Sequence, residues 1–292
     1  MAPATGPYDL RWGHDERLDV DGVGIHAEAA GPEGATPVLV GQHGFGSGTY
    51  TWAGVAEHLT ADHRLVAWDR PPFGRSDRPP PRTGPDDPGV ASELRQLRAV
   101  VDRFAGPGPV VLVGHSAGSL LAVQAALAGT VPIAGMVLIA PALDDGPPPT
   151  VRAVSRLPGS SLLGASMVRV GALGASAALR RMTRHGTPLT DATAAEAGRA
   201  VRRPGTAAAL WHMTRHWQPP AVLDRLGEVD VPAVVVGGVD DRIVSIPTHR
   251  AVAEGLGADL HLLEGAGHAP HEQRPGEVAA VIRRFVASLG GR

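Results

Sequence analysis

Short apolar runs recur along the chain, and each ends in a polar or turn-forming residue: PVLVGQH (37–43), RLVAWD (64–69), VVLVGH (110–115), GMVLIAP (135–141) and PAVVVGG (232–238). Runs that are apolar at nearly every position suit strands covered on both faces, as in a parallel sheet. Between them the spacing becomes helical. Trp52, Val55, Ala56 and Leu59 share one face, as do Leu94, Leu97, Val101 and Phe104. ADLHLLEG (258–265) predicts a further strand, and Val278, Val281, Ile282, Phe285, Val286 and Leu289 form the apolar side of a terminal helix. At the other end, ERLDVDGVGIHAEAAGP alternates around Asp21 and Gly22 and predicts a hairpin of two strands. Strands alternating with helices imply βαβ units, so the expected architecture is α/β: a mostly parallel, eight-stranded sheet with helices on both faces.

From about Leu143 to Glu228 this rhythm stops. No β-like apolar run occurs there, and Ala-rich, Arg-containing segments are punctuated by Pro and Gly. The stretch predicts a helical insertion, with DDGPPPT (144–150) as a stiff lead-in and QPPAVLDRL (218–226) as the return. The chain thus divides into a core, 1–142 and 229–292, and a helical cap, 143–228. No internal repeat is visible.

Composition narrows the function. A formal net charge of −2, with acids and bases interspersed, offers neither a nucleic-acid surface nor a polybasic membrane anchor. The expected partner is a neutral or weakly charged small molecule, and the sequence does not specify an oligomeric state. There is no cysteine, which removes disulfides, thiolate metal sites and cysteine nucleophiles together. The stretch MAPATGPYDLRWGHDERLD lacks an apolar signal region and no run approaches the length of a membrane span, so a cytoplasmic protein is expected.

Against that background VVLVGHSAGSLLAVQAALAG (110–129) stands out, because it sets Ser116 between Gly114 and Gly118 where an apolar strand meets an apolar helix. A G-x-S-x-G turn of this kind lifts a hydroxyl to an exposed, sharply bent position; an ordinary serine helix cap is the alternative. A serine hydroxyl is a poor nucleophile, so it needs a base, an orienting acid and donors for an oxyanion. The acid candidates are Asp240 and Asp241 in VVVGGVDDRIVSIP; the base candidates are His268 and His271 in LLEGAGHAPHEQRP. Both segments directly follow predicted strands.

QHGFGSGTYTW, WDRPPFGRSDRP, GHSAG, GGVDDRIV and GAGHAPHEQRP together make nearly the whole chain resemble the α/β-hydrolase family. The resemblance implies Ser116 as nucleophile, Asp241 as acid and His268 as base, with Asp240 as the nearest rival for the acid. Some relatives carry the acid after the preceding strand, where this chain has Asp144 and Asp145. The backbone N–H groups of Phe45 and Ala117 would form the oxyanion hole. Trp52 is expected to line the substrate cleft, with Phe45 as an apolar wall, while Trp211, Met213 and Trp217 are read first as helix packing and otherwise as substrate contacts under the cap.

Other residues have simpler readings. GFGSG lacks the downstream Lys-Ser or Lys-Thr of a phosphate loop, so no nucleotide cofactor is expected. His115 is expected to point into the fold and His43 to organise its loop. Asp69, Arg70 and Asp77 are expected to fix a post-strand turn. His212 and His216 are one helical turn apart but lack an evident third ligand, so no metal is expected.

The expected activity is hydrolysis of a carboxylic ester, lactone or thioester of a largely apolar molecule through an acyl-enzyme. The alternatives are a carbon–carbon hydrolase of a vinylogous diketone, a lyase, cyclase or perhydrolase, and a non-catalytic ligand receptor. The diketone reading is weakened by His115 and Ala117 beside the serine and by the absence of a tryptophan after His268. Epoxide and haloalkane hydrolases need an aspartate where this chain has Ser116.

Overall fold

A computed structural model describes residues 10–79, 89–144, 146–174, 189–216 and 221–290. Its strands are β1 (His14–Val20), β2 (Val23–Ala30), β3 (Val38–Gln42), β4 (Leu65–Trp68), β5 (Val110–His115), β6 (Ile133–Ile139), β7 (Ala233–Gly238) and β8 (Asp259–Leu263). They form one sheet in the order β1-β2-β4-β3-β5-β6-β7-β8. The β1–β2 and β2–β4 pairs are antiparallel and the rest are parallel. The hairpin turns at Asp21 (φ 55) and Gly22 (φ 76), the two successive positive φ values that a tight, right-twisted hairpin requires.

Within strands buried on both faces, alternation persists as a choice between two cores. Val38, Val40, Val110 and Leu112 point to a layer with Leu97, Val101 and Leu121. Leu39, Val111 and Val113 point to the opposite layer, with Val55, Leu59, Val278 and Ile282. The first layer is built on helices α2 (Val90–Phe104) and α3 (Ala117–Ala128), the second on α1 (Ala53–Leu59) and the terminal helix Pro275–Leu289. β6 begins and ends two residues before the predicted 135–141 run. Ala140 leaves the strand with φ 44, and Pro141 has no N–H to give to a ladder.

Between Ile139 and Ala233 the described residues contain no strand. They form α4 (Pro149–Ser155), α5 (Ser160–Leu173), α6 (Asp191–Arg202), α7 (Thr206–His216) and a 3-10 turn at Leu223–Glu228. α5 and α7 meet closely: a Cβ at Gly164 would overlap the Trp211 ring at 2.0 Å. Thr190 caps α6 by accepting the Thr193 N–H at 3.2 Å. Two arginine contacts tie these helices to the loop after β4. Arg203 Nη1 donates to Gly74 O at 3.0 Å, and Arg78 Nε donates to Thr206 Oγ1 at 3.1 Å.

Candidate active site

Ser116 sits between β5 and α3 with φ 51 and ψ −120, a backbone conformation that a non-glycine residue adopts only when its surroundings impose it. The flanking glycines make the turn feasible. A Cβ at Gly114 would lie 2.6 Å from Gly118 O, and one at Gly118 would lie 2.1 Å from Gln42 O. Although Ser116 holds the N-cap position of α3, its side chain makes no capping bond. Its hydroxyl instead meets His268. The sharp bend agrees with expectation but the expected exposure does not: Ser116 is only 8% exposed. His268 on one side and the Gly44 backbone on the other cover it, with Ser116 Cβ 3.2 Å from where a Gly44 Cβ would stand.

His268 Nε2 lies 3.1 Å from Ser116 Oγ, and His268 Nδ1 lies 3.0 Å from Asp241 Oδ2. With the Asp241 carboxylate accepting at Nδ1, the imidazole keeps its lone pair on Nε2, facing the serine. Asp241, rather than Asp240 beside it, therefore meets the histidine. Asp144 is exposed, and Asp145 lies outside the described residues. Asp241 Oδ1 accepts the N–H groups of Ile243 at 2.8 Å and Val244 at 3.0 Å, so the carboxylate is clamped by its own turn. Burial pushes the Asp241 pKa up, but His249, His268 and the Ile243 N–H outweigh it and hold the group well below the usual carboxylate range. The two loops are laced together. Val239 N–H donates to Leu263 O at 3.0 Å and Asp240 N–H to Ala266 O at 2.9 Å.

Opposite the serine, His43 is wholly buried. Its Nδ1–H donates to Gly44 O at 2.7 Å and its Nε2 accepts the Arg70 N–H at 2.9 Å, which fixes one neutral tautomer. Burial and the Arg70 charge lower its pKa to about 4. As expected, it organises its loop. Ala117 opens α3, where the first N–H groups have no partner within the helix. Phe45, 62% exposed, packs edge-on against Phe73 with ring centroids 5.2 Å apart.

The turn after β4 is held by Asp69, whose carboxylate accepts from Thr49 N at 2.7 Å, Arg75 N at 2.7 Å and His26 Nδ1 at 2.8 Å. Arg70 Nη1 reaches Ala117 O at 3.1 Å, connecting this turn to the nucleophile helix. Asp77 accepts the Gly24 N–H at 2.8 Å. All three residues thus do the structural work expected of them.

One expected substrate contact needs correction. Trp52 is fully buried in the core layer beneath the sheet, against Gly41 and 5.0 Å from the His271 ring, because a flat indole fills the space that Gly41 leaves open. Trp211 is 5% exposed and packs on Gly164 within the inserted helices, in line with the packing reading. Met213 is partly exposed on the same helix, and Trp217 lies outside the described residues.

The sequence reading also missed how many histidines gather here. His115 Nε2–H donates to His268 O at 2.8 Å, and the His115 ring lies 4.3 Å from that of His271. His249 is buried with Nε2 3.6 Å from Asp241 Oδ2. The available signal was a histidine eight residues after Asp241 on the face that its helix buries, shared with Val252 and Ala253.

Asp15, His26 and Glu28 are the one group among the described residues close enough to share a metal ion. The Arg75 guanidinium already supplies a cation there, 3.5 Å from Asp15 and 3.7 Å from Glu28. The donor set therefore reads as an ion-pair network. The His212 and His216 rings lie against each other at a tilt of 34°, with centroids 4.3 Å apart.

A sequence model described as "Alpha/beta hydrolase family" matches residues 38–281. Among curated proteins, "Lipase LipV" of Mycobacterium tuberculosis is 31% identical over 267 residues, covering 89% of this chain and 97% of that one. "Epoxide hydrolase A" of the same organism is 27% identical over 321 residues, covering 94% and 98%. A solved thermophilic esterase from Thermogutta terrifontis superposes with a TM-score of 0.74 at 19% identity, over 95% of this chain and 99% of that one. With its sheet order, its strained serine turn and this match across most of its length, the chain belongs to the alpha/beta hydrolase family.

Proposed function

We propose that the protein is a serine hydrolase that cleaves a carboxylic ester, lactone or thioester of a largely apolar small molecule through an acyl-enzyme, without a cofactor. The observation that carries this reading is His268, which lies within hydrogen-bond reach of Ser116 on one nitrogen and Asp241 on the other. In the proposed cycle His268 Nε2 takes the Ser116 proton as Oγ attacks the carbonyl carbon, and Asp241 stabilises the imidazolium. The N–H groups of Phe45 and Ala117 receive the oxyanion. Collapse of the tetrahedral intermediate expels the alcohol, protonated by His268, and a water activated by the same imidazole then releases the acid.

Residues 143–228 act as a cap in this reading, anchored to the core through Arg203 and Thr206. The exposed Phe45 ring and the partly exposed Met213 supply apolar surface for the acyl or alcohol group. The relative named an epoxide hydrolase does not transfer its chemistry here, since opening an epoxide through an alkyl-enzyme ester uses a carboxylate where this chain has Ser116.

The test is a panel of chromogenic esters of graded acyl length, with wild type and Ser116→Ala. Turnover of at least some esters is expected, falling by roughly five to six orders of magnitude in the variant. Near-normal turnover by Ser116→Ala would remove the proposal.

A further inference from the structure

We infer that His249 is a positioning residue for Asp241, a second imidazole donor that holds the acid's Oδ2 where His268 needs it. The inference rests on the serine-hydrolase reading above and concerns a side chain outside the Ser116–His268–Asp241 set.

His249 lies near the start of the helix Ile246–Gly255, eight residues beyond Asp241, and is completely buried. That helix starts at a defined place: Ser245 caps it by accepting the Thr248 N–H at 3.3 Å, and Pro247 fixes its first turn. The His249 ring is thereby delivered behind the acid, with Nε2 3.6 Å from Asp241 Oδ2. The opposite wall has been cleared for it. A Cβ on Gly237, at the end of β7, would stand 2.5 Å from His249 Cδ2 and 2.9 Å from Nε2. Only glycine at 237 leaves room for the imidazole.

Neither His249 nitrogen has a hydrogen-bond partner within ordinary reach in the described structure. A buried, unpaired imidazole is costly, and an apolar side chain of similar size would fill the space more favourably. What distinguishes this space is the carboxylate, which lies a few tenths of an ångström beyond hydrogen-bond length from Nε2. The groups facing that oxygen are two imidazoles, His268 at 3.0 Å and His249 at 3.6 Å, while Oδ1 is taken by the Ile243 and Val244 N–H groups. With its proton on Nε2, His249 gives the carboxylate a fourth donor. It favours the ionised acid and resists a flip that would exchange the two oxygens. His249 transfers no proton in this role and acts only through Asp241.

The experiment compares wild type with His249→Leu, which fills the space without a donor, and His249→Gln, whose amide N–H can reach the place of Nε2. Steady-state ester kinetics, the labelling rate of Ser116 by a fluorophosphonate, and the low-field proton resonance of His268 Nδ1–H are measured for each. His249→Leu is expected to lower kcat about tenfold with KM within about twofold. It should also shift the low-field resonance and leave the melting temperature at or above that of wild type. His249→Gln is expected to recover kcat to within about threefold of wild type. Should His249→Leu fail to fold, Gly237→Ala displaces the ring from its other side and is expected to lower kcat in the same way. Equal kcat in all proteins, or equal loss in the Leu and Gln variants, would show a packing residue and overturn the inference. If wild type itself is not labelled, the serine-hydrolase reading fails instead. The resonance then still decides the present point, since an unchanged signal in His249→Leu rejects it.

Discussion

Gly44 faces Ser116 so closely that a Cβ at position 44 would stand 3.2 Å from the serine Cβ and 2.9 Å from His115 Nδ1. The loop that carries Phe45 can approach the nucleophile only because residue 44 has no side chain. Gly44→Ala must push that loop away and, in the proposed mechanism, takes the Phe45 N–H from the place where the oxyanion would form. The expected result is a fall in kcat of about 10²-fold with little change in KM, as for loss of one oxyanion donor. Circular dichroism and thermal melting should show an intact fold. Unchanged kinetics in Gly44→Ala would mean that this loop does not serve the transition state.

Asp241→Asn separates orientation from charge. Asn Oδ1 can still accept the Ile243 and Val244 N–H groups, so the turn should survive. The amide Nδ2–H would then face His268 Nδ1 and favour the tautomer that carries its proton on Nε2, the wrong nitrogen for accepting from Ser116. We expect kcat to fall about 10³–10⁴-fold. Asp240→Asn, in the same loop but without the His268 contact, should stay within about threefold of wild type. A large loss in Asp240→Asn with little in Asp241→Asn would reassign the acid.

The contrast between these two aspartates shows what the sequence could and could not convey. Period and length marked the strands, because a buried parallel strand must be apolar along its whole length, and turn residues marked where each strand ended. Candidate chemistry placed at those ends was legible for the same reason, in Ser116, the Asp240–Asp241 pair and the His268–His271 pair, while the choice of Asp241 and His268 came from the family resemblance. Burial depth was not legible. Trp52 carries the same apolar signal whether it lines a cleft or fills the space over Gly41, and only the packing decides. His249 went unassigned, and the burial of His271, named only as a base candidate, went unseen, because the signal for a buried imidazole lies in its neighbours, which come from distant parts of the chain.

Three of those buried histidines make the fold acid-sensitive. Burial, with the nearby Arg70 charge for His43 and the His268 charge for His271, lowers the first to about 4 and the second to about 3. Burial and the neighbouring histidines push His115 well below its ordinary value. In each case the unfolded chain binds the proton more readily than the folded one. Their stabilisation is therefore complete above about pH 6.5 and is lost as pH falls toward 4 and 3. Unfolding free energy should drop steeply over that window. His271→Phe, which keeps a ring against Trp52, should flatten the slope by about one proton. Parallel pH profiles for wild type and His271→Phe in denaturant titrations would contradict the assignment of a neutral, buried His271.

Glu272 has the opposite dependence. Its side chain is 9% exposed, its Oε2 has no hydrogen-bond partner in the described structure, and burial raises its pKa to about 8. The folded state thus prefers the protonated acid, while the unfolded chain ionises near the ordinary value of 4.5. Any stability this group confers on the protonated fold is present in full below about pH 4.5, declines as pH rises, and levels off beyond about pH 8. A neutral isostere removes the decline, so Glu272→Gln should match wild type at pH 5 and exceed it at pH 8.5 by on the order of 3 kcal/mol. Urea unfolding of both proteins at the two pH values tests the claim. A stability difference that is the same at pH 5 and pH 8.5 would mean that Glu272 is already ionised in the folded protein, with a cation or water chain reaching its carboxylate.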